Sequence, residues 1–354
     1  MENGTPTVSG MLIPPRPRPG DRVAVLSPAA ALPAILPAPF DLGLQRMADE
    51  LGLVPVEYAT TRKWGSSPAE RAADVHAAFA DPTIAAVMTS IGGNDQIKVL
   101  PHLDADLIRA NLKPFYGLSD NTNLCAYLSN LGIVSYYGGT VMTVLGRYGS
   151  TNPHSMEALR AALFDGGWYE LRPAERWTDM GKDWADPANL LEEPEMFPGT
   201  GWQWHGGADT VEGDLWGGCL EIVDWNLRAA RWLRPDHEYD GHVLFLETSE
   251  EMPSASYVYE VLMCLGERGL LQRFSALLMG RPKGWELEHQ TTPQERTAYV
   301  EAQHESVLRA MREYSPDVPV VLDVDLGHTD PQLVVPYGGR CRIDPGARTV
   351  AVHY

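Results

Sequence analysis

Three residues of this chain pair side chains suited to acyl transfer with positions suited to present them: Ser119 in YGLSDNTNL, Glu247 in GHVLFLETSEE and His328 in VLDVDLGHTDP. Each follows a short apolar run of the kind that ends a buried strand, where α/β proteins place their ligands. A serine hydroxyl becomes a nucleophile when a histidine takes its proton and a carboxylate orients the imidazole. After Ser119 comes DNTNLCAYLSNLG, whose apolar spacing and closing glycine predict a helix with Asp120 as its N-cap. Strand, turn and helix in that order are the geometry of a nucleophile elbow, in which the amide after the serine faces the developing oxyanion. The stretch lacks the usual GxSxG, so an ordinary turn serine stays open as a reading.

TSIGGND (89–95) ends another expected strand, and Gly92-Gly93 lets the backbone approach a ligand closely. That turn can complete an oxyanion hole, cradle a phosphate, or be a plain connection; neither GxxxxGK[ST] nor a full GxGxxG is present. His328 shares its segment with Asp323, Asp325 and Asp330, so a metal site competes with a general base, although no HExxH spacing accompanies it. Glu247 can equally be a cap or surface residue, and Glu250 and Glu251 are expected in solvated loop.

The elements that must hold these residues can be read from the same sequence. RVAVLSP (22–28), LVPVEYA (53–59), IAAVMTS (84–90) and PFYGL (114–118) read as strands, separated by helical stretches near 39–51, 67–80 and 104–111. Such alternation predicts βα units around a parallel sheet. After about residue 165 comes a Trp-, Pro- and Gly-rich stretch without either period, as in a functional loop or a domain link. VEGDLWGGCLEIV, GHVLFLE, ALLMGRP and VPVVLDVDLG are further strands, helices lie near 254–268 and 293–313, and the C-terminal residues read as a β-hairpin region with turns at Gly338-Gly339 and Pro345-Gly346. The expected organisation is a tail (1–20), an N-terminal Rossmann-like α/β domain with a parallel sheet (21–165), a linker and Trp-rich loop (166–206), and a smaller, strand-rich α/β C-terminal domain (207–354).

Composition narrows the function classes. The 354 residues are 44% hydrophobic with a formal charge of −19, which supplies cores but not the basic footprint that a nucleic-acid polymer or an anionic membrane requires. The four cysteines, Cys125, Cys219, Cys264 and Cys341, form no CxxC pair, so neither a zinc knuckle nor a disulfide framework is expected and a reducing cytoplasm is the simplest setting. No apolar run approaches the roughly 20 residues of a bilayer span, and the first residues lack a signal-peptide pattern. No cofactor or metal is expected.

Taken together, PGDRVAVLSP, TSIGGND, YGLSDNTNL, the YYGG of residues 136–139, GDLWGGCLEIV, FLETSEE, MGRP and VDLGHTDP resemble the LD-carboxypeptidase family of serine peptidases, in this order along nearly the whole chain. The resemblance implies a Ser–Glu–His triad: Ser119 as nucleophile, Glu247 as orienting carboxylate and His328 as general base, with the amides of Asp120, Gly92 and Gly93 as oxyanion donors. GWQWHGG, EGDLWGGCLEI and LFLETSEEMPS are similar to the microcin C self-immunity branch, whose members cleave the amide joining an acyl group to a nucleotide analogue. That branch implies a base-stacking surface, for which Trp202 and Trp204, with Trp184 as a third, are the candidates; a WxW alternation also suits a half-buried strand with both indoles packed on one face. The resemblance further implies a homodimer. Where the family often has a small or polar residue after the first-strand Ser-Pro, this chain reads SPAAALPA. The rival expectations are an LD-carboxypeptidase acting on a murein tetrapeptide, a non-catalytic binder of a small ligand, and a metallohydrolase built on Asp323, Asp325 and His328.

Overall fold

The apolar runs of the N-terminal half stack side by side. In the computed structural model, which describes residues 7–8 and 10–354, β1 (Arg22–Leu26), β2 (Val54–Glu57), β3 (Ile84–Thr89), β4 (Phe115–Gly117) and β5 (Ser135–Tyr137) form a parallel sheet in the order 2-1-3-4-5. β1 reads as a continuous apolar run because helices cover both faces of the sheet and its Val23, Ala24 and Val25 are fully buried. The crossovers are α1 (Pro37–Leu51), α2 (Pro68–Ala80), α3 (Ala105–Ala110) and α4 (Thr122–Asn130). Their ends follow local chemistry: Ser67 and Glu70 form a capping box with Pro68 in the first turn of α2, and α1 stops at Gly52 in the left-handed conformation.

The expected tail falls partly on residues 1–6 and 9, outside the described residues. From Met11 onward it is an extended lead-in: Leu12 exchanges backbone hydrogen bonds with Gly132 and Val134, and Met11 and Ile13 are buried. α5 (Pro153–Arg160) then leads to the second sheet.

That sheet has eight strands. Its members are β6 (Trp168–Leu171), β7 (Gln203–His205), β8 (Val211–Cys219), β9 (Val243–Glu247), β10 (Ala276–Gly280), β11 (Val320–Val324) and, beyond a strand that belongs elsewhere, two from the C-terminal hairpin. β8 to β11 are parallel to one another, with α6 (Leu220–Ala229), α7 (Ala255–Glu267) and α8 (Pro293–Tyr314) in their connections. The strand that belongs elsewhere, β12 (Val335–Tyr337), crosses to the first sheet and pairs antiparallel with β5. β13 (Arg340–Asp344) and β14 (Thr349–His353) form the hairpin around Pro345-Gly346, and β6 closes that edge. The Gly338-Gly339 turn therefore links strands of different sheets rather than two arms of a hairpin. One buried apolar cluster runs through both sheets, from Val23 to Tyr354.

The order 2-1-3-4-5 places a topological switch point between β1 and β3, and ligands of open α/β sheets bind outside the carboxyl ends of the strands at such a point. Ala30 beyond β1 and Gly92-Gly93 beyond β3 both line a cavity of about 450 Å³. Among the described residues no helix is long and apolar enough to cross a membrane.

Candidate active site

Ser119 leaves the end of β4 with a positive φ of 64°, a left-handed conformation that L-residues other than Asn and Asp rarely adopt. It opens a short 3₁₀ turn, Ser119–Asn121, that runs directly into α4. The side chain is half-buried on the cavity wall. Strand, strained turn and helix thus lie in the order expected of an elbow. The expected helix cap is different: Asp120 is buried inside the turn, and α4 has no side-chain cap. Its carboxylate instead accepts the amides of Asp95 and Gln96 at 2.9 and 2.8 Å and the Asn123 side-chain amide at 2.8 Å. It thereby ties the loop after β3 to the serine turn. Burial raises its pKa to about 6 despite these bonds.

That tie brings Gly92 against the serine. A Cβ added at Gly92 would lie 2.7 Å from Ser119 Cβ and 3.0 Å from its Oγ, so glycine is required by close approach. The amides of Gly92, Gly93 and Asp120 hydrogen-bond no other group among the described residues, which leaves them free to meet an oxyanion. Gly92→Ala should lower kcat/KM by about 10²–10³-fold, comparable to loss of one oxyanion donor, while the far-UV spectrum is retained. A steady-state assay beside circular dichroism checks this; a loss of under threefold would remove Gly92 from the site.

Glu247 ends β9 and is completely buried. Its two oxygens are both engaged: Oε2 lies 2.7 Å from His328 Nδ1, and Oε1 accepts the Tyr137 hydroxyl at 2.5 Å. The same hydroxyl accepts the Ser119 amide at 3.1 Å, so Tyr137 links the serine turn to the glutamate. Gly327, just before the histidine, has φ 86°, and a Cβ there would fall 2.2 Å from Glu247 Oε2. A glycine is thus what lets the histidine loop close over the carboxylate.

His328 is 12% exposed and lines the cavity that Ser119 lines. Its second nitrogen, Nε2, lies 3.1 Å from Glu250. Burial pushes the imidazole pKa down, but the two flanking carboxylates outweigh it and hold the pKa well above the ordinary value. Arg147 braces the surroundings by pairing with Asp330 at 2.7 Å and Glu193 at 2.8 Å.

The three expected tryptophans part company. Trp184 lines the cavity, with its ring centroid 6.3 Å from that of Tyr148. Trp202 and Trp204 do not line it. Trp202 is 9% exposed and donates its indole N–H to Asp325 at 2.9 Å; Trp204 lies on β7, the edge strand that pairs with β11, and packs half-buried on the core. The expectation of a stacking surface at these two positions is thereby corrected to that of packed indoles, because pairing to β11 holds Trp204, and the Asp325 acceptor holds Trp202, against protein rather than cavity. Together with the Ala174 amide at 3.0 Å, Trp202 anchors the Trp-rich stretch to the histidine loop. The metal alternative loses its ligand set: Asp323 is held by His304 at 2.8 Å, Asp325 by Trp202, and His328 by Glu247. Among the described residues no three His, Cys, Asp or Glu side chains converge as a metal site requires.

Two functional candidates escaped the reading of the sequence. Tyr137 lay in the quoted YYGG without a role, and Glu250 was expected in solvated loop; no local pattern marks either, since Tyr137 meets Glu247 and Glu250 meets His328 across more than 75 residues.

The sequence matches the LD-carboxypeptidase N-terminal domain over residues 23–138 and the LD-carboxypeptidase C-terminal domain over residues 212–343. The microcin C7 self-immunity protein MccF of Escherichia coli is 25% identical over 291 residues, 80% of this chain and 78% of that one. A probable murein peptide carboxypeptidase of Bacillus subtilis is 25% identical over 342 residues, 94% and 92% of the two chains. In structure, the chain resembles an MccF-like protein from Streptococcus pneumoniae solved with AMP, at TM-score 0.83 and 24% identity over 94% of this chain and 99% of that one. It also resembles MccF solved with aspartyl sulfamoyl adenosine, at TM-score 0.81 and 22% identity over 97% and 98%; identities this low show the shared fold. The two matched domains, laid over a two-sheet fold of the MccF type, establish that the chain belongs to the LD-carboxypeptidase family and is a serine peptidase-type hydrolase.

Proposed function

We propose that the protein is an amidase that cleaves the bond between an aminoacyl group and a nucleotide analogue, with Ser119, Glu247 and His328 as its triad. The observation that carries this reading is the make-up of one cavity: Ser119, His328 and Gly92-Gly93 on its wall together with the Trp184–Tyr148 aromatic pair. Nucleophile and base need only a carbonyl, whereas an aromatic pair in the same cavity suits a ligand with a flat base. Solved structures of MccF with aspartyl sulfamoyl adenosine and with glutamyl sulfamoyl guanosine supply the substrate class.

Neutral His328 takes the Ser119 proton on Nε2, and the serine oxygen attacks the acyl carbon. The amides of Gly92, Gly93 and Asp120 hold the resulting oxyanion. The C–N bond breaks as the imidazolium returns the proton to the departing nitrogen. Water, deprotonated by the same imidazole, then releases the acyl group from serine. Glu247 keeps the Nδ1 proton in place throughout. We place this reaction in the cytoplasm, the simplest setting for the four scattered cysteines, and in a homodimer, as the resemblance implies.

The test is a side-by-side assay of an aminoacyl-sulfamoyl adenosine and a murein tetrapeptide. Release of the free amino acid from the nucleotide with kcat/KM well above that for the tetrapeptide supports the proposal; the reverse order makes the protein an LD-carboxypeptidase, and no product from either makes it a binder. Trp184→Ala is expected to raise KM for the nucleotide about tenfold with little change in kcat, the signature of lost stacking felt equally in ground and transition states. An unchanged KM would remove Trp184 from the base site.

A further inference from the structure

A carboxylate occupies the position from which His328 must act. Glu250 Oε2 lies 3.1 Å from His328 Nε2, the nitrogen that has to receive the serine proton, while Glu247 already holds Nδ1 at 2.7 Å. The imidazole is thus clamped between two acids, and the acids are not alike. Glu247 is fully buried and fixed by Tyr137, whereas Glu250 is 52% exposed on the loop between β9 and α7, and among the described residues its side chain pairs only with His328. One carboxylate is built in and the other is held by the imidazole alone among the described residues.

The charges around the cavity indicate what would move it. Each cationic side chain on its wall has an acid of its own: Arg147 pairs with Glu193 and Asp330, Lys182 with Glu192, and Lys283 with Glu286. Of the cavity acids, Asp179 is paired with Arg296 and Asp330 with Arg147, which leaves Glu250 and Asp183 without an arginine or lysine ion-pair partner among the described residues. Asp183 is occupied in a local turn with the Ala185 amide. Glu250 is the one of the two beside the reacting atoms, where an incoming positive charge would be received.

We propose that Glu250 is a specificity-determining residue that receives a free ammonium group on the acyl residue of the substrate, and that its transfer from His328 to that ammonium releases Nε2 for catalysis. This rests on the aminoacyl-amidase reading. With Glu250 withdrawn, the imidazolium keeps one acid instead of two, and its Nε2 proton passes to water. A neutral ring remains, protonated on Nδ1 toward Glu247 and ready for the Ser119 proton. A substrate without the ammonium leaves the clamp closed. The groups that set this balance are Glu247 and Glu250 on the imidazole and Lys283 facing Glu250; Asp330, two residues beyond the histidine, is held by Arg147.

The experiment compares alanyl-sulfamoyl adenosine with its N-acetylalanyl counterpart on the wild type, Glu250→Gln and Glu250→Asp, with kcat/KM followed across pH. His328 is also titrated by NMR in ring-labelled Ser119→Ala and Ser119→Ala/Glu250→Gln proteins. The wild type should favour the free ammonium by about 10–100-fold, the range of one charge-assisted contact. Glu250→Gln should bring that ratio below about threefold, Glu250→Asp should keep part of it, and the His328 pKa should fall by about one unit in the glutamine variant. The sign follows from the base having to be neutral: a lower pKa carries the acidic limb of kcat/KM to lower pH. A preference that survives Glu250→Gln, or a His328 titration that does not move, overturns the proposal. If the wild type hydrolyses neither compound, the amidase reading and the ammonium site fall together, while the titration, which needs no turnover, still decides whether Glu250 clamps His328.

Discussion

Ser119→Ala is expected to reduce kcat on an aminoacyl-sulfamoyl adenosine by about 10⁴-fold or more while leaving substrate affinity and folding in place. The substitution deletes only the atom that forms the acyl-enzyme in the proposed mechanism. The hydrogen bond from the Ser119 amide to Tyr137 is a backbone contact and survives, and alanine meets the same positive φ of 64° as serine does. The residual rate would come from the oxyanion donors and from binding, which together still act on the bound carbonyl. Stopped-time product analysis, calorimetric binding and a thermal melt separate these quantities. In parallel, a serine-reactive phosphonate should add one covalent label to the wild type and none to the variant. A variant with the wild-type rate would show that Ser119 is an ordinary turn serine.

Glu247→Gln should be nearly as damaging, with kcat down by about 10³–10⁴-fold, because the amide cannot satisfy both of the carboxylate's donors. The carboxylate accepts from Tyr137 on one oxygen and from His328 on the other. A glutamine has one acceptor oxygen; if that faces Tyr137, its NH₂ faces Nδ1 and forces the proton onto Nε2, the wrong tautomer for a base. If the amide turns round, its NH₂ meets a tyrosine hydroxyl that already accepts the Ser119 amide. The pH dependence adds a second readout. Glu247 is the foremost influence raising the His328 pKa against the opposing push of burial, so its removal lowers that pKa and moves the acidic limb of kcat/KM to lower pH. Stability carries a matching sign. A raised histidine pKa stabilises the fold below the ordinary histidine value and ceases to do so as pH rises through the folded value, so the melting difference between wild type and variant should narrow on the alkaline side. A variant with wild-type kcat and an unmoved pH limb would exclude Glu247 from the orienting role.

The legibility of the two sheets and of the site differed for physical reasons. β1 and β3 could be read because a strand buried on both faces must be apolar along its whole length, and α2 could be read because Ser67, Pro68 and Glu70 satisfy its first turn from adjacent positions. Glu250 could not: in sequence it is one acid of TSEE past a strand end, and its place against His328 depends on how two loops 78 positions apart pack. The tryptophans of GWQWHGG show the same limit. Alternation at period two says that Trp202 and Trp204 share a face, but only the pairing of β7 with β11 and the acceptor at Asp325 decide that the face is turned inward.

By itself the sequence determined the βα alternation, the strand ends that carry Ser119, Glu247 and His328, and the family resemblance, since these depend on residue type and on spacing along the chain. The tertiary structure decided which side chains meet: Tyr137 joining the serine turn to Glu247, Gly92 lying against Ser119, Trp184 rather than Trp202 on the cavity wall, and Glu250 against His328. Hydrogen bonds and Coulomb interactions act over a few ångströms, and distances that short between residues far apart in the chain are set by strand order and sheet packing.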